Sequence, residues 1–207
     1  TITITDLAGN TAAAGALTFT TFIIDITVAA ATQTTAVTTP TADTTPDVVI
    51  NVAEAGTIAV GGTSGCGLSS TSAMTSGANT VTLTASSTDK AYSCTVTFTD
   101  SAGNAASALA LTAFTLDTTA NAATQTTAVS TPDNDATPDV VINVDEAGTI
   151  AVGGTSGCDS SETAVTSGDN TITLDKDGAG ANMDDGSYTC TITFTDSAGN
   201  AASALTL

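Results

Sequence analysis

The sequence predicts an all-β protein built from tandem antiparallel β-sandwich domains. Three observations carry that prediction. Apolar residues alternate with polar ones over short runs, as in Val48, Ile50 and Val52, which is the period of a half-buried strand. Turn-forming Gly, Asn, Asp and Pro recur at about 8–12-residue spacing, with almost no helical periodicity. Finally, the chain repeats itself. AATQTTAV starts at Ala30 and again at Ala122, 92 residues on. TPDVVINV (Thr45, Thr137) and AGTIAVGGTSGC (Ala55, Ala147) keep that shift of 92. It becomes 91 from Asn79 to Asn170 and 96 from Cys94 to Cys190, so length changes fall between the two cysteines of each copy. A repeat of about 90 residues is too long for most solenoids and fits a whole small domain with its own modest core.

The clearest punctuation is TDSAGNAASALAL, Thr99 to Leu111, which returns with one change as Thr195 to Leu207. A looser copy, TDLAGNTAAAGALTF, starts at Thr5. Each reads as a strand end, a tight turn and a closing strand. Residues 1–26 are therefore expected to be the last two strands of a partial domain, followed by domains at 27–118 and 119–207. In the partial domain, Ile2 and Ile4 alternate with threonines, Gly9 and Asn10 turn the chain, and Leu17, Phe19, Phe22 and Ile24 return. The side-chain phase slips between Phe19 and Phe22, and again between Leu111 and Phe114, which predicts a bulge or bend. Two strands cannot bury a core alone. The rest of this domain is expected outside these residues or from another chain, and Thr1 opens inside a strand pattern, as an excerpt or processed form would.

In the first complete unit, Ala30 to Val37 reads as a threonine-rich edge strand and Pro40 to Pro46 as a loop. Val48, Ile50 and Val52 form a core strand. Glu54-Ala-Gly56 turns into Ile58 and Val60, and Gly61 to Gly77 is a glycine- and serine-rich connection. Val81 and Leu83 mark the next strand. Tyr92, Cys94, Val96 and Phe98 share one face of another, and Leu109, Leu111, Phe114 and Leu116 close the unit. Asp117-Thr118-Thr119 links it to the next copy.

Lys90 and Lys176 are the only basic residues against 21 acidic ones, a net charge of −19. No basic patch can form, so nucleic acid is excluded as a partner, as is an anionic membrane surface. Metal cations are the natural counter-charge, and solubility in a salty medium is the plain reading of the charge alone. No signal peptide or membrane span is visible, and direct membrane insertion is not expected of this segment. The absence of His and Arg, with no base beside the many Ser and Thr hydroxyls, argues against an enzyme. Consecutive carboxylates such as Asp184–Asp185 read as solvated turn residues.

Cys66 and Cys158 are equivalent, as are Cys94 and Cys190. Pairing within each repeat, Cys66–Cys94 and Cys158–Cys190, is the simplest of three connectivities. It implies an oxidising compartment and closes loops of about 30 residues, worth roughly 3–4 kcal/mol each. Zinc is the alternative, but no His and no CxxC are present.

Here the chain resembles a family. Asp184-Asp-Gly186-Ser-Tyr188-Thr-Cys190 looks like the tyrosine corner of immunoglobulin-like (Ig-like) domains, with Tyr two residues before Cys at the start of strand F. Asp89-Lys-Ala-Tyr92-Ser-Cys94 keeps the Tyr and Cys. TFTDSAGNAAS, an apolar strand and then LDTT are similar to bacterial Ig-like (Big-type) tandem repeats of large surface proteins and adhesins. The resemblance spans essentially the whole chain. It departs in one respect: the first cysteine follows the third strand instead of lying on strand B, and Trp is absent, so the bridge would tie the C–D region to strand F.

Sandwich topology places the B–C and F–G turns at the pole facing the preceding domain, and the A–B loop and the exit of strand G at the far pole. One junction would then gather Asp25, Glu54, Asp100 and Asn104. The next would gather Asp117, Asp43 and Asp47 with Asp145, Glu146, Asp196 and Asn200. Carboxylate and amide oxygens on turns suit Ca²⁺, and the resemblance implies the same, since related adhesin repeats carry calcium at their linkers. TDSAGN also reads as a plain turn, with Asp100 capping backbone N–H groups. Asp175-Lys-Asp177-Gly178 is only loosely like a calcium loop and lacks its terminal Glu.

Threonine runs such as TITIT and TVTFT read as solvent faces of strands. Carbohydrate platforms use exposed aromatics, whereas these phenylalanines fall on expected core faces. No Asn-x-Ser/Thr acceptor exists. The lysines are not at equivalent positions, which disfavours an isopeptide cross-link. The expected function is an extracellular, cell-surface structural protein forming a stalk, fibre or surface layer. The alternative is an adhesin spacer whose glycan- or surface-binding module lies elsewhere. The expected partners are neighbouring repeats or copies of itself, including strands lent between subunits as in donor-strand polymers.

Overall fold

The computed structural model describes residues 5–11, 20–63, 65–155 and 157–207. The described strands of the first unit are β1 (Thr32–Thr35), β2 (Asp47–Val52), β3 (Gly56–Gly62), β4 (Gly67–Leu68), β5 (Ala73–Met74), β6 (Gly77–Thr84), β7 (Lys90–Tyr92), β8 (Cys94–Asp100), β9 (Leu109–Ala110) and β10 (Phe114–Leu116). They form one sheet in the order β1-β2-β6-β4 and a second in the order β5-β3-β8-β9, while β10 pairs with β7. All of these pairings are antiparallel. Residues 119–207 hold β11 (Thr124–Thr127), β12 (Asp139–Val144), β13 (Gly148–Gly154), β14 (Ala164–Val165), β15 (Gly168–Thr173), β16 (Cys190–Asp196) and β17 (Leu205–Thr206). Their sheets run β11-β12-β15 and β14-β13-β16-β17. No helix among the described residues is long and apolar enough to cross a membrane.

Each unit has its own hydrophobic core. Alternation places Val48, Ile50 and Val52 of β2 against Val96 and Phe98 of β8, joined by Val81 and Leu83 of β6. Val140, Ile142, Val144, Ile192, Phe194 and Ile172 repeat the pattern. Each side chain of this kind contributes roughly 1.5–3 kcal/mol when fully buried. The outward threonines of β8 are half-buried, as expected for a solvent face. Cys66–Cys94 and Cys158–Cys190 are bonded, with Cα–Cα distances of 5.8 and 5.6 Å.

The phase slip between Leu111 and Phe114 is a strand break. Leu109 pairs with Val96 of β8, the ladder stops, and Phe114 restarts against Tyr92 of β7. Leu111, Phe114 and Leu116 are all buried despite the break. The glycine- and serine-rich connection contains β4 and β5, which sequence reasoning missed. Two-residue strands carry no readable period.

The amino-terminal segment departs from expectation. Ile2, Ile4, Leu17 and Phe19 lie outside the described residues. Around the first turn, Thr5 bridges Thr11 antiparallel. Residues 20–27 carry no strand, and Phe22 and Ile24, expected on a core face, are 77% and 73% exposed. Among the described residues no sheet packs over them.

Candidate metal centre

The site grows from the TDSAGN turn. β8 alternates inward and outward, and Asp100 takes its last inward position, where it is buried. A buried carboxylate needs compensating donors. Asn104 supplies two: its backbone N–H donates to Asp100 Oδ1 (2.8 Å) and its Nδ2 to Oδ2 (2.7 Å). These bonds, the Asn104 side chain first, hold the Asp100 pKa below the ordinary carboxylate value despite burial. Gly103 closes the turn at φ +95°, a conformation natural only to glycine. Asp196 and Asn200 repeat the arrangement at 2.8–2.9 Å. So do Asp6 and Asn10, at 2.9 Å.

The B–C turn is brought alongside by register. Gly56 faces Asp100 and Gly148 faces Asp196. A Cβ on Gly56 would stand 2.2 Å from the Thr99 carbonyl oxygen, so only glycine lets the two strands approach. Ser101 Oγ donates to the Ala55 carbonyl and Ser197 Oγ to that of Ala147, both at 3.4 Å. The linker is the third component. Asn104 Nδ2 donates to the Asp25 carbonyl (3.1 Å) and Asn200 Nδ2 to the Asp117 carbonyl (2.9 Å).

Two equivalent carboxylate triads result: Asp25, Glu54 and Asp100, and Asp117, Glu146 and Asp196. Within each, one oxygen from every residue lies within 4.8 Å of the others. Oxygens bound to one Ca²⁺ at 2.3–2.6 Å are at most about 5 Å apart, so each triad fits around a single ion. The donor set is all hard oxygen, which suits calcium and not zinc. Burial, then the charges of Asp117, Asp196 and Asp145, push the Glu146 carboxyl above its ordinary value. A divalent cation would relieve that repulsion.

Some expected ligands lie elsewhere. Asp43 accepts from the backbone N–H (2.7 Å) and hydroxyl (3.1 Å) of Thr45 in its own turn. Asp47 accepts from Thr82 Oγ1 at 2.6 Å. Asp145 stands outside the triad, although its charge reaches Glu146. Asn104 and Asn200 turn their amide nitrogens to the linker and position it. The repeat itself carried a signal for the narrower set. Moving Asp25 and Glu54 by 92 and Asp100 by 96 reaches Asp117, Glu146 and Asp196 directly. In the acidic loop of the second unit, Asp175 is buried and accepts from the backbone N–H groups of Asp177, Gly178 and Gly180. Its carboxylate staples its own loop.

No curated protein matches the chain. Residues 18–118 match the family model of the bacterial Ig-like domain. That span contains the linker from Thr20, both sheets of the first unit, its disulfide and the first triad. The first unit, as its sandwich topology and this match together establish, is a bacterial Ig-like domain.

Proposed function

We propose that the chain belongs to an extracellular structural protein in which tandem Ig-like domains act as a stalk, fibre or surface layer, with Ca²⁺ at the domain junctions. The observation that carries this reading is the repeated triad. Each takes one carboxylate from the linker and two from the turns of the domain that follows, so one ion would cross-brace linker to domain. Asp25, Glu54 and Asp100 would hold the first ion, and Asp117, Glu146 and Asp196 the second. The ion would neutralise clustered charge and stiffen the junction. The disulfides suit an oxidising, extracellular setting. The bacterial Ig-like family points to a surface protein and to structural work in place of catalysis.

Thermal unfolding in Ca²⁺, then in excess chelator, tests the proposal. The expected result is a clear fall in Tm on chelation, restored by Ca²⁺ and not by Mg²⁺, and abolished by Glu54→Gln with Glu146→Gln. An unchanged Tm would remove calcium from the proposal.

A further inference from the structure

The linker Asp117-Thr118-Thr119 is held from both sides. Leu116, the last residue of β10, is fully buried in the first unit. Asp117 donates its N–H to the Thr41 carbonyl of the first unit at 2.9 Å. Its own carbonyl accepts from Asn200 Nδ2 of the second unit, also at 2.9 Å. Its carboxylate accepts from the Thr119 N–H at 3.3 Å, which ties the side chain to the linker backbone. Asp89, immediately before β7, grips the two residues that follow. Its Oδ1 accepts from the Thr118 N–H (3.0 Å) and hydroxyl (2.8 Å), and its Oδ2 from the Thr119 hydroxyl (3.1 Å). Three donors thus converge on one carboxylate, and bonds to an ionised acceptor are stronger than neutral ones. The clasp is particular to this linker. Ile26 and Thr27 stand 92 residues before Thr118 and Thr119, and Ile26 has no hydroxyl to donate.

We infer that Asp89 is a positioning residue for the second junction: from the first unit it clasps Thr118 and Thr119 and so fixes how Asp117 is presented to Glu146 and Asp196. The use made of that pose rests on the calcium reading above, whereas the clasp itself needs no metal. One oxygen of Asp117 already lies within 4.8 Å of oxygens of Glu146 and Asp196. A linker residue held in advance needs less ordering when an ion binds, so the clasp raises affinity without touching the ion. It also makes the site composite. The first unit, through Asp89 and Thr41, sets where the linker meets the turns of the second. An ion there couples the two units, because loosening the Asp89 contact in one lowers affinity at the other.

Two readouts test the inference. The first is made in chelator. Spin labels on Thr80→Cys and Thr171→Cys, equivalent exposed positions of β6 and β15, report the distance between the units. Every native cysteine is already in a disulfide, so only the introduced thiols take label. The chain with Asp89 intact should give one narrow distance distribution. Asp89→Ala should broaden it, and Asp89→Asn, which keeps one acceptor oxygen, should fall between.

The second readout is Ca²⁺ affinity by titration calorimetry in a Glu54→Gln background, which leaves the second triad intact. Asp89→Ala should weaken binding by about tenfold, the size expected for losing a bond to a charged group. Adding Thr118→Val should weaken it no further, since both changes remove one contact. In a Glu146→Gln background, Asp89→Ala should leave the affinity of the first triad unchanged. Asp89 is exposed, so its replacement leaves the core of the first unit intact. A distance distribution that ignores Asp89→Ala overturns the inference, and so does a Ca²⁺ affinity that ignores it. If the unsubstituted chain binds no Ca²⁺, calcium at the junction fails, and the distance measurement alone decides the clasp.

Discussion

Tyr92 and Tyr188 stand at the same place in two copies of one repeat, yet their surroundings differ. Tyr92 is fully buried, stacked on Phe114, with its hydroxyl donating to the Ser86 carbonyl at 2.7 Å. Tyr188 is half-exposed and its hydroxyl donates to the Asp184 carbonyl at 2.9 Å. The disulfides and the registers of β3 on β8 and β13 on β16 are the same in both units. The difference is the strand Phe114–Leu116. A tyrosine corner is therefore completed from outside its own strand: β8 and β16 place the ring, and the closing strand decides whether it is buried.

The sharpest way to break this comparison is Phe114→Ala. It should destabilise the first unit by roughly 3–5 kcal/mol and make Tyr92 resemble Tyr188. Calorimetry should show the melting temperature of the first unit falling in the variant while that of the second is unchanged. Removing either disulfide should instead affect both units alike. With sequence separations of 28 and 32 between the paired cysteines, each loss is roughly 3–4 kcal/mol, and the two should differ by less than about 0.5 kcal/mol. Denaturant titration of Cys66→Ala/Cys94→Ala and Cys158→Ala/Cys190→Ala chains measures this. Asp175→Ala touches only the second unit, removing the acceptor of three loop N–H groups, and should lower the Tm of that unit with no effect on the first.

The smallest expected effect is acid sensitivity at Asp89. The Thr118 hydroxyl, then the Thr118 N–H and Thr119 hydroxyl, outweigh desolvation and hold its pKa below the ordinary value. A carboxylate whose folded pKa is depressed stabilises the fold above its unfolded pKa of about 4, and that contribution disappears as pH falls through the lower folded value. Asp89→Asn should therefore match the unsubstituted chain at the bottom of a pH titration and be less stable near neutrality, in the first unit only.

Much of this was legible in the sequence because strands with one wet face advertise themselves. Val48, Ile50 and Val52, and Cys94, Val96 and Phe98, could be read by period alone. The repeat fixed equivalences between copies, and thereby Cys66 with Cys158 and Glu54 with Glu146. What could not be read depended on distant groups. β4 and β5 are too short to show a period. Asp43 and Asp47 look like any turn carboxylates until Thr45 and Thr82 are found bonded to them. Phe22 and Ile24 carry the letters of a buried strand yet stand exposed, because alternation along one strand does not show what covers its face.

The position of the disulfides has a mechanical consequence. In each unit the bridge spans from the turn after β3 or β13 to the start of β8 or β16, so a pull along the chain bypasses the loop it closes. When a unit yields under tension, the loop between the cysteines, which stand 28 or 32 positions apart, stays out of the load path. Fully stretched, it would add about 90–115 Å of slack per unit. A row of such units would give way in short steps and lengthen little, and a reducing agent would turn the same row from a tether into a long spring.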